Sequence, residues 1–378
     1  MSQCGLMKNG IFMDVNGDID YCCEMPSDGN YRPTFSCGEY DKFKIHGKAN
    51  YERSKTEWVS GCSGCQYNEE VNKKPSLRTI SDTFFTSPDE NDESIKHAII
   101  NTGNICNLAC RMCNGGSSSK WVSYTRKIKP TKASGTNFHV TDNKIYNDEH
   151  MDILYSHVLT DKLIFLSLAG GEPTQNYRAL EMITYLAETG YSKNVVLSII
   201  TNGTLLLTDK WRKYFDSFAR LELVISMDGT FDNYEYIRQD ASWDLVINNL
   251  KDYQILVKNH HSYKSQVGVA YCWQALNAHK FLHDQKWFED NNIDFHYQTV
   301  HDPDYTTLQC IHPALREKYG INKMYTMEYK EESFYKFLRV NRWMDKLFNK
   351  PGALEQQNPD FFDTNLFPKA REIYYGAA

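Results

Sequence analysis

The chain has no run of the roughly 18 consecutive apolar residues that a membrane-crossing helix requires. No transmembrane helix is therefore expected. Its first residues, Met1-Ser2-Gln3-Cys4, lack the basic and apolar regions of a secretory signal, and this predicts a cytoplasmic protein. Positive charge is in deficit: 42 Lys and Arg stand against 48 Asp and Glu, a formal net charge of −6. That balance supplies no bulk attraction for nucleic acid or for an anionic membrane surface. No internal repeat or long low-complexity tract stands out either. What the chain has in excess is cysteine, eleven in 378 residues. In a reducing compartment, that usage favours metal ligation or redox chemistry over a disulfide framework.

The cysteines are grouped. Cys4, Cys22, Cys23, Cys37, Cys62 and Cys65 lie in the first 65 residues, Cys106, Cys110 and Cys113 form a tight set, and only Cys272 and Cys310 follow. A polar, proline-punctuated stretch from about Glu69 to Ser94 separates the two groups and reads as a linker. From Ile95 onward, short apolar strands alternate with helical periods. The strands are expected at Ile95–Asn101, Leu163–Ala169, Val195–Thr201, Leu221–Met227, Gln266–Tyr271 and Ile293–Thr299. Ala179, Met182, Ile183, Leu186 and Ala187 follow a helical repeat, as do Val246, Leu250, Tyr253 and Val257. Six strands alternating with helices imply a parallel sheet. The unit is shorter than the roughly 250 residues of a complete eight-stranded barrel. The expected fold is α/β, a partial (β/α)6 TIM-like barrel with a small N-terminal module and a helical C-terminal segment. The divisions are 1–75 for the module, 76–94 for the linker, 95–300 for the barrel and 301–378 for the tail.

Cys106-Asn-Leu-Ala-Cys110-Arg-Met-Cys113 is C-x3-C-x2-C at the C-terminal end of a strand, where barrels of this kind place their active sites. Three thiolates so close can hold three corners of one metal centre. A cubane iron–sulfur cluster held that way keeps one iron open for an external ligand. The competing arrangement is a structural zinc site joining Cys62 and Cys65 to Cys110 and Cys113. It separates its two pairs by far more chain than the usual 15–20 or so residues, and it leaves Cys106 unused.

The three-cysteine group resembles the signature of radical S-adenosylmethionine (SAM) enzymes, with Met112 where an aromatic residue usually precedes the last cysteine. Gly170-Gly171-Glu172-Pro173 is similar to that family's GGEP motif, and Thr201-Asn202-Gly203 and Ser226-Met227-Asp228-Gly229 fall at its other strand ends. The resemblance implies a catalytic [4Fe–4S] cluster on Cys106, Cys110 and Cys113. It also implies SAM bound near Gly170, Gly171, Glu172, Pro173, Asn202, Ser226 and Arg238, and a 5′-deoxyadenosyl radical that abstracts a substrate hydrogen. In that reading Glu172 accepts from the SAM ammonium, and Ser226 and Arg238 reach its ribose or carboxylate. Asn277 matches a family position equally well as it reads as a helix cap. The serines of Asn114–Trp121 read as an N-cap whose N–H groups can also hold an anion.

The N-terminal cysteines have a hairpin signal at Asn16-Gly17 ahead of Cys22-Cys23, then Cys62-Ser-Gly-Cys65 and the acidic pair Glu69-Glu70. This resembles the SPASM/twitch auxiliary-cluster module, here placed before the barrel. The resemblance implies a second [4Fe–4S] cluster on Cys4, Cys22 or Cys23, Cys62 and Cys65, with a zinc knuckle on the same cysteines as the alternative. The implied partners are a reductant such as flavodoxin or ferredoxin and a substrate that is either a peptide or protein or a small polar molecule. The outcome would be oxidation or cross-linking. For a dehydrogenation, His296, His301 and Tyr271 are candidate bases. The opposing class is a zinc-stabilised, non-enzymatic binding or scaffold protein.

Overall fold

The computed structural model of the chain describes residues 4–23, 34–59, 61–71, 73, 75–82, 92–125, 143–300 and 303–376. Among the described residues there are eight strands: β1 (Gly10–Met13), β2 (Ile19–Asp20), β3 (His97–Asn101), β4 (Phe165–Ala169), β5 (Val196–Thr201), β6 (Arg220–Ser226), β7 (Gln266–Trp273) and β8 (Asp294–Thr299). They form one sheet in the order β2-β1-β3-β4-β5-β6-β7-β8, open at both edges. Every neighbouring pair is parallel except β1 with β2. This is the α/β partial TIM-like barrel expected, with β3 to β8 at the six anticipated positions.

The patterning explains the layers. Leu166 and Leu168 of β4, and Leu197 and Ile199 of β5, are buried, as befits parallel strands covered on both faces. In β6, Leu221, Leu223 and Ile225 are buried, while Arg220 and Glu222 alternate with them and pair with each other. The edge strand β8 leaves Asp294, His296, Tyr297 and Gln298 exposed. The helices Tyr177–Glu188 and Trp243–Asn259 bury Ala179, Met182, Ile183 and Leu186, and Val246, Leu250, Tyr253 and Val257. The tail is helical too, and Phe334, Phe337, Phe361, Phe362 and Phe367 continue the barrel's core into it.

The N-terminal residues join the barrel rather than only preceding it. The turn at Asn16-Gly17 connects β1 to β2, and β1 pairs with β3 from Gly10↔His97 to Met13↔Ile100. Lys96 N donates to Asn9 O at 2.8 Å, and Asn9 Nδ2 donates to Asp92 O and Ser94 O. Ile11, Met13, Ile19, Tyr21, Cys37 and Phe43 thus belong to the main core. Cys4, Leu6, Met7 and Val59 form a separate small cluster. Within the expected linker, Leu77–Asp82 is helical; residues 83–91 of it lie outside the described residues. Among the described residues no helix is long and apolar enough to cross a membrane.

His97 lies in β3, 4% exposed, stacked on Phe165 of β4 at 4.5 Å between ring centroids. Burial holds its pKa down to about 4 from the ordinary 6.5. Between those values the unfolded chain binds a proton that the folded chain does not, so stability falls as pH drops from about 6.5 toward 4. At pH 5 the loss from this residue is about 2 kcal/mol. Urea unfolding at pH 7 and pH 5 is expected to show a smaller pH effect in His97→Phe than in wild type. Equal pH effects would refute the assignment.

Candidate active site

The loop after β3 carries the three cysteines and contains little but turns, so its shape depends on what surrounds it. Cys110 is buried, Cys106 and Cys113 are partly exposed, and all three thiols are free. Cys113 N donates to Cys110 O at 3.0 Å. Burial, then the neighbouring Cys110, pushes the Cys106 thiol up to about 11. The contact with Cys113 and then burial raise Cys110, against the opposing charge of Arg238. The three sulfurs therefore interact as one group. Leu108 N approaches Cys106 Sγ at 3.5 Å and Asn202 Nδ2 lies 3.8 Å from it, while Arg238 lies 3.9 Å from Cys110 Sγ.

Gly170 and Gly171, directly after β4, both have left-handed φ, +77° and +54°. A Cβ on Gly170 would meet Asn101 Cβ at 2.8 Å, and one on Gly171 would collide with Ile105 O. The two glycines thus let the chain press against the cysteine loop, and Glu172 N donates to Ile105 O at 2.6 Å. Glu172 itself is fully buried. Its Oε1 accepts from Thr174 N, Thr174 Oγ1 and Thr201 Oγ1, and its Oε2 from Asn202 N at 2.7 Å. Burial raises its pKa and those bonds oppose the shift. One acceptor position remains on Oε2. Pro173 is buried in the single turn that follows.

Arg238 is 7% exposed and pairs with buried Asp228 at 2.9 Å. Its Nε is a buried donor with no protein partner, as are the hydroxyls of Tyr234 and Tyr236. Ser226 is half-buried at the end of β6. Asn277 is occupied locally, donating to Asp228 O and Cys272 O and accepting from Gln274 N. The serines after the cysteines brace the loop: Ser118 Oγ donates to Leu108 O, and Ser119 Oγ accepts from Cys106 N. Of the candidate bases, Tyr271 is buried and donates to Asp284 at 2.8 Å. His296 is exposed and 3.0 Å from Asp294. His301 lies outside the described residues.

Arg111, inside the cysteine motif, carries no signal in the sequence. It is fully buried, with Nε on Tyr236 O at 2.7 Å, one terminal nitrogen on Asn341 Oδ1 at 3.1 Å and the other on Asp345 Oδ1 at 2.5 Å. Its guanidinium lies 3.8 Å from the Tyr236 ring centroid. Asn341 and Asp345 sit one turn apart in helix Glu331–Leu347, among buried Phe337, Leu338 and Met344. The tail therefore holds the cysteine loop in place.

The N-terminal cysteines form a second group. Cys4, Cys22, Cys62 and Cys65 line one pocket together with Leu6, Met7, Gly61 and Arg78. Cys23, one residue from Cys22, is exposed. The Cys62–Cys65 pair thus shares its pocket with Cys4 and Cys22, not with Cys110 and Cys113. Burial, then the Cys65 thiol, pushes Cys62 up to about 11, with Arg78 opposing. Cys37 is in the main core, Cys310 donates to Tyr305 O, and Cys272 is pushed up to about 12 by burial and then by Asp228. Asp216, His260 and His261 also bring ligand atoms within 4.8 Å of one another. His260, however, accepts from Ser262 N at Nδ1 and so donates from Nε2 to Phe215 O. That ring has no lone pair left for a cation.

Both thiol groups suit soft metals or iron–sulfur clusters. The first offers three sulfurs from one loop beside an unpartnered buried guanidinium N–H, and the second offers four around one pocket.

Residues 100–263 match the sequence model of the Radical SAM superfamily. The radical SAM cyclopropyl synthase TigE of Paramaledivibacter caminithermalis is 24% identical over 179 residues, 46% of this chain and 35% of that one. The chain thus spans about a third of that curated relative. Among solved structures, native anSMEcpe with bound AdoMet has a TM-score of 0.41 at 20% identity, covering 67% of this chain and 62% of the other. Streptococcus suis SuiB bound to precursor peptide SuiA has a TM-score of 0.40 at 14% identity, covering 76% and 58%.

Asp345→Ala leaves Arg111 buried without its counter-charge and is expected to cost about 3–5 kcal/mol in urea unfolding. In a double-mutant cycle with Arg111→Met the two changes should couple by more than about 1 kcal/mol. A coupling near zero would show that the tail does not clamp the loop through this pair.

Proposed function

We propose that this chain, a member of the radical SAM superfamily by its residues 100–263, is a two-cluster enzyme that modifies a peptide or protein by hydrogen abstraction. Cys106, Cys110 and Cys113 would hold the catalytic [4Fe–4S] cluster. Cys4, Cys22, Cys62 and Cys65 would hold an auxiliary one of the SPASM/twitch type, with exposed Cys23 left out. A three-thiolate cluster with SAM bound supplies a 5′-deoxyadenosyl radical on reduction by a flavodoxin- or ferredoxin-like partner. The observation that carries the reading is the convergence, at the C-terminal edge of the sheet, of three thiols, the Glu172 carboxylate and the Arg238 guanidinium.

The protein's own groups account for SAM. Burial destabilises the Glu172 anion, so a cation reaching its open acceptor position is strongly favoured, which suits the SAM ammonium. The unpartnered Nε of Arg238 suits its carboxylate. Asn107 and Asn202, joined by a 2.9 Å hydrogen bond, fasten the cysteine loop to the strand end that carries Asn202. Oxidation or bond formation would complete the reaction, and a small polar substrate is the alternative outcome.

Protein purified without oxygen should hold roughly eight irons per chain. The Cys106→Ala, Cys110→Ala, Cys113→Ala chain should keep about four and lose dithionite-driven 5′-deoxyadenosine formation. One or two zincs and no iron in wild type, or 5′-deoxyadenosine surviving that triple change, would sink the proposal. Glu172→Gln should keep its iron while binding SAM about tenfold or more weakly by calorimetry. Unchanged affinity would remove Glu172 from the SAM site.

A further inference from the structure

The acidic pair after Cys65 has a structural use that the two-cluster reading leaves unexplained. Glu69 grips Arg78: Arg78 Nε donates to Glu69 Oε1 at 3.0 Å, and a terminal nitrogen donates to Oε2. Ser76 Oγ adds a bond to Glu69 Oε1 at 2.5 Å. Burial works to raise the Glu69 pKa, but those bonds and the Arg78 charge outweigh it and hold the group ionised. Arg78 also lies 4.8 Å from the ring centroid of Trp58, whose Nε1 donates to Glu70 at 2.7 Å. Gln66 donates to the same carboxylate at 3.0 Å. The guanidinium is thus held in one orientation by a two-pronged acid and a flat ring.

Arg78 is 6% exposed, and it lines the pocket of Cys4, Cys22, Cys62 and Cys65. Arg78 also borders the adjoining pocket lined by Cys4 and Cys62. Glu69 already supplies the counter-charge that keeps this guanidinium buried and fixed. A cluster on four thiolates would be a second anion beside it, and an adjacent fixed positive charge favours its more negative, reduced form.

We infer that Arg78 is a positioning residue for charge: it raises the reduction midpoint of the auxiliary cluster, and Glu69 sets how far. The inference rests on the two-cluster reading of this pocket. The Cys106→Ala, Cys110→Ala, Cys113→Ala chain isolates the auxiliary signal, and its midpoint is read by redox titration followed by electron paramagnetic resonance. In that background, Arg78→Gln is expected to cut the reduced-to-oxidised ratio at a fixed potential about tenfold, a fall of about 59 mV for one electron. Arg78→Lys should retain most of the ratio, and Glu69→Gln should move it the opposite way, because it removes the anion and leaves the cation. A loss of packing alone would not produce opposite signs.

Iron retained with a ratio unmoved within about twofold in Arg78→Gln, or shifts of the same sign in Arg78→Gln and Glu69→Gln, overturns the inference and leaves the two-cluster reading standing. If Arg78→Gln fails to retain iron, Glu69→Gln decides, and no upward shift there overturns it. A triple-alanine background holding no iron overturns the two-cluster reading, and the inference with it.

Discussion

A loop made almost wholly of turns must present three thiols in one geometry, and the ion pair between Arg111 and Asp345 is the constraint that makes this feasible. Both groups are buried, so neither can relax into water, and breaking the pair strands a charge. Arg111 N donates to Ile237 O and Ala109 N to Gln239 O, which tie the same loop to the segment that carries Arg238. Trp121 Nε1 donates to Cys110 O from the opposite side. The cysteine loop is therefore fastened by the tail, by the β6–β7 connection and by the helix that follows it, and preorganisation of this kind is what a metal site requires.

The N-terminal group follows the same logic with less material. Its own apolar cluster amounts to Cys4, Leu6, Met7 and Val59, with Cys22, Tyr51, Cys62 and Leu77 leaning on it. So small a core contributes little stability alone, and a metal centre at its middle would act as a staple. The strand pairing of β1 with β3 supplies the remainder, joining this region to the main sheet. Cysteine thus occurs in two groups, in a pinned loop and around one pocket, and the difference in surroundings suits different chemistry at the two sites.

Much of the architecture was legible because it is local. The apolar runs of β4 and β5 and the stripes of helices Tyr177–Glu188 and Trp243–Asn259 repeat at periods that neighbouring residues alone set. The hairpin of β1 and β2 was legible in its Asn16-Gly17 turn, but the parallel pairing of β1 with β3 was not, because that partner lies more than eighty positions away. The glycines at 170 and 171 were legible as a close approach, but the partner they approach is the cysteine loop.

Chain order alone specified the spacing of Cys106, Cys110 and Cys113 and their place after a strand, because ligand spacing within a few residues is a property of the local backbone. Tertiary structure decided which of Cys22 and Cys23 faces the other thiols, where Arg111 and Arg78 find their acids, and how four donors meet on Glu172. Those outcomes depend on contacts between residues far apart in sequence. No local period encodes them, and the cost of burying an unpaired charge is settled only when the chain closes around it.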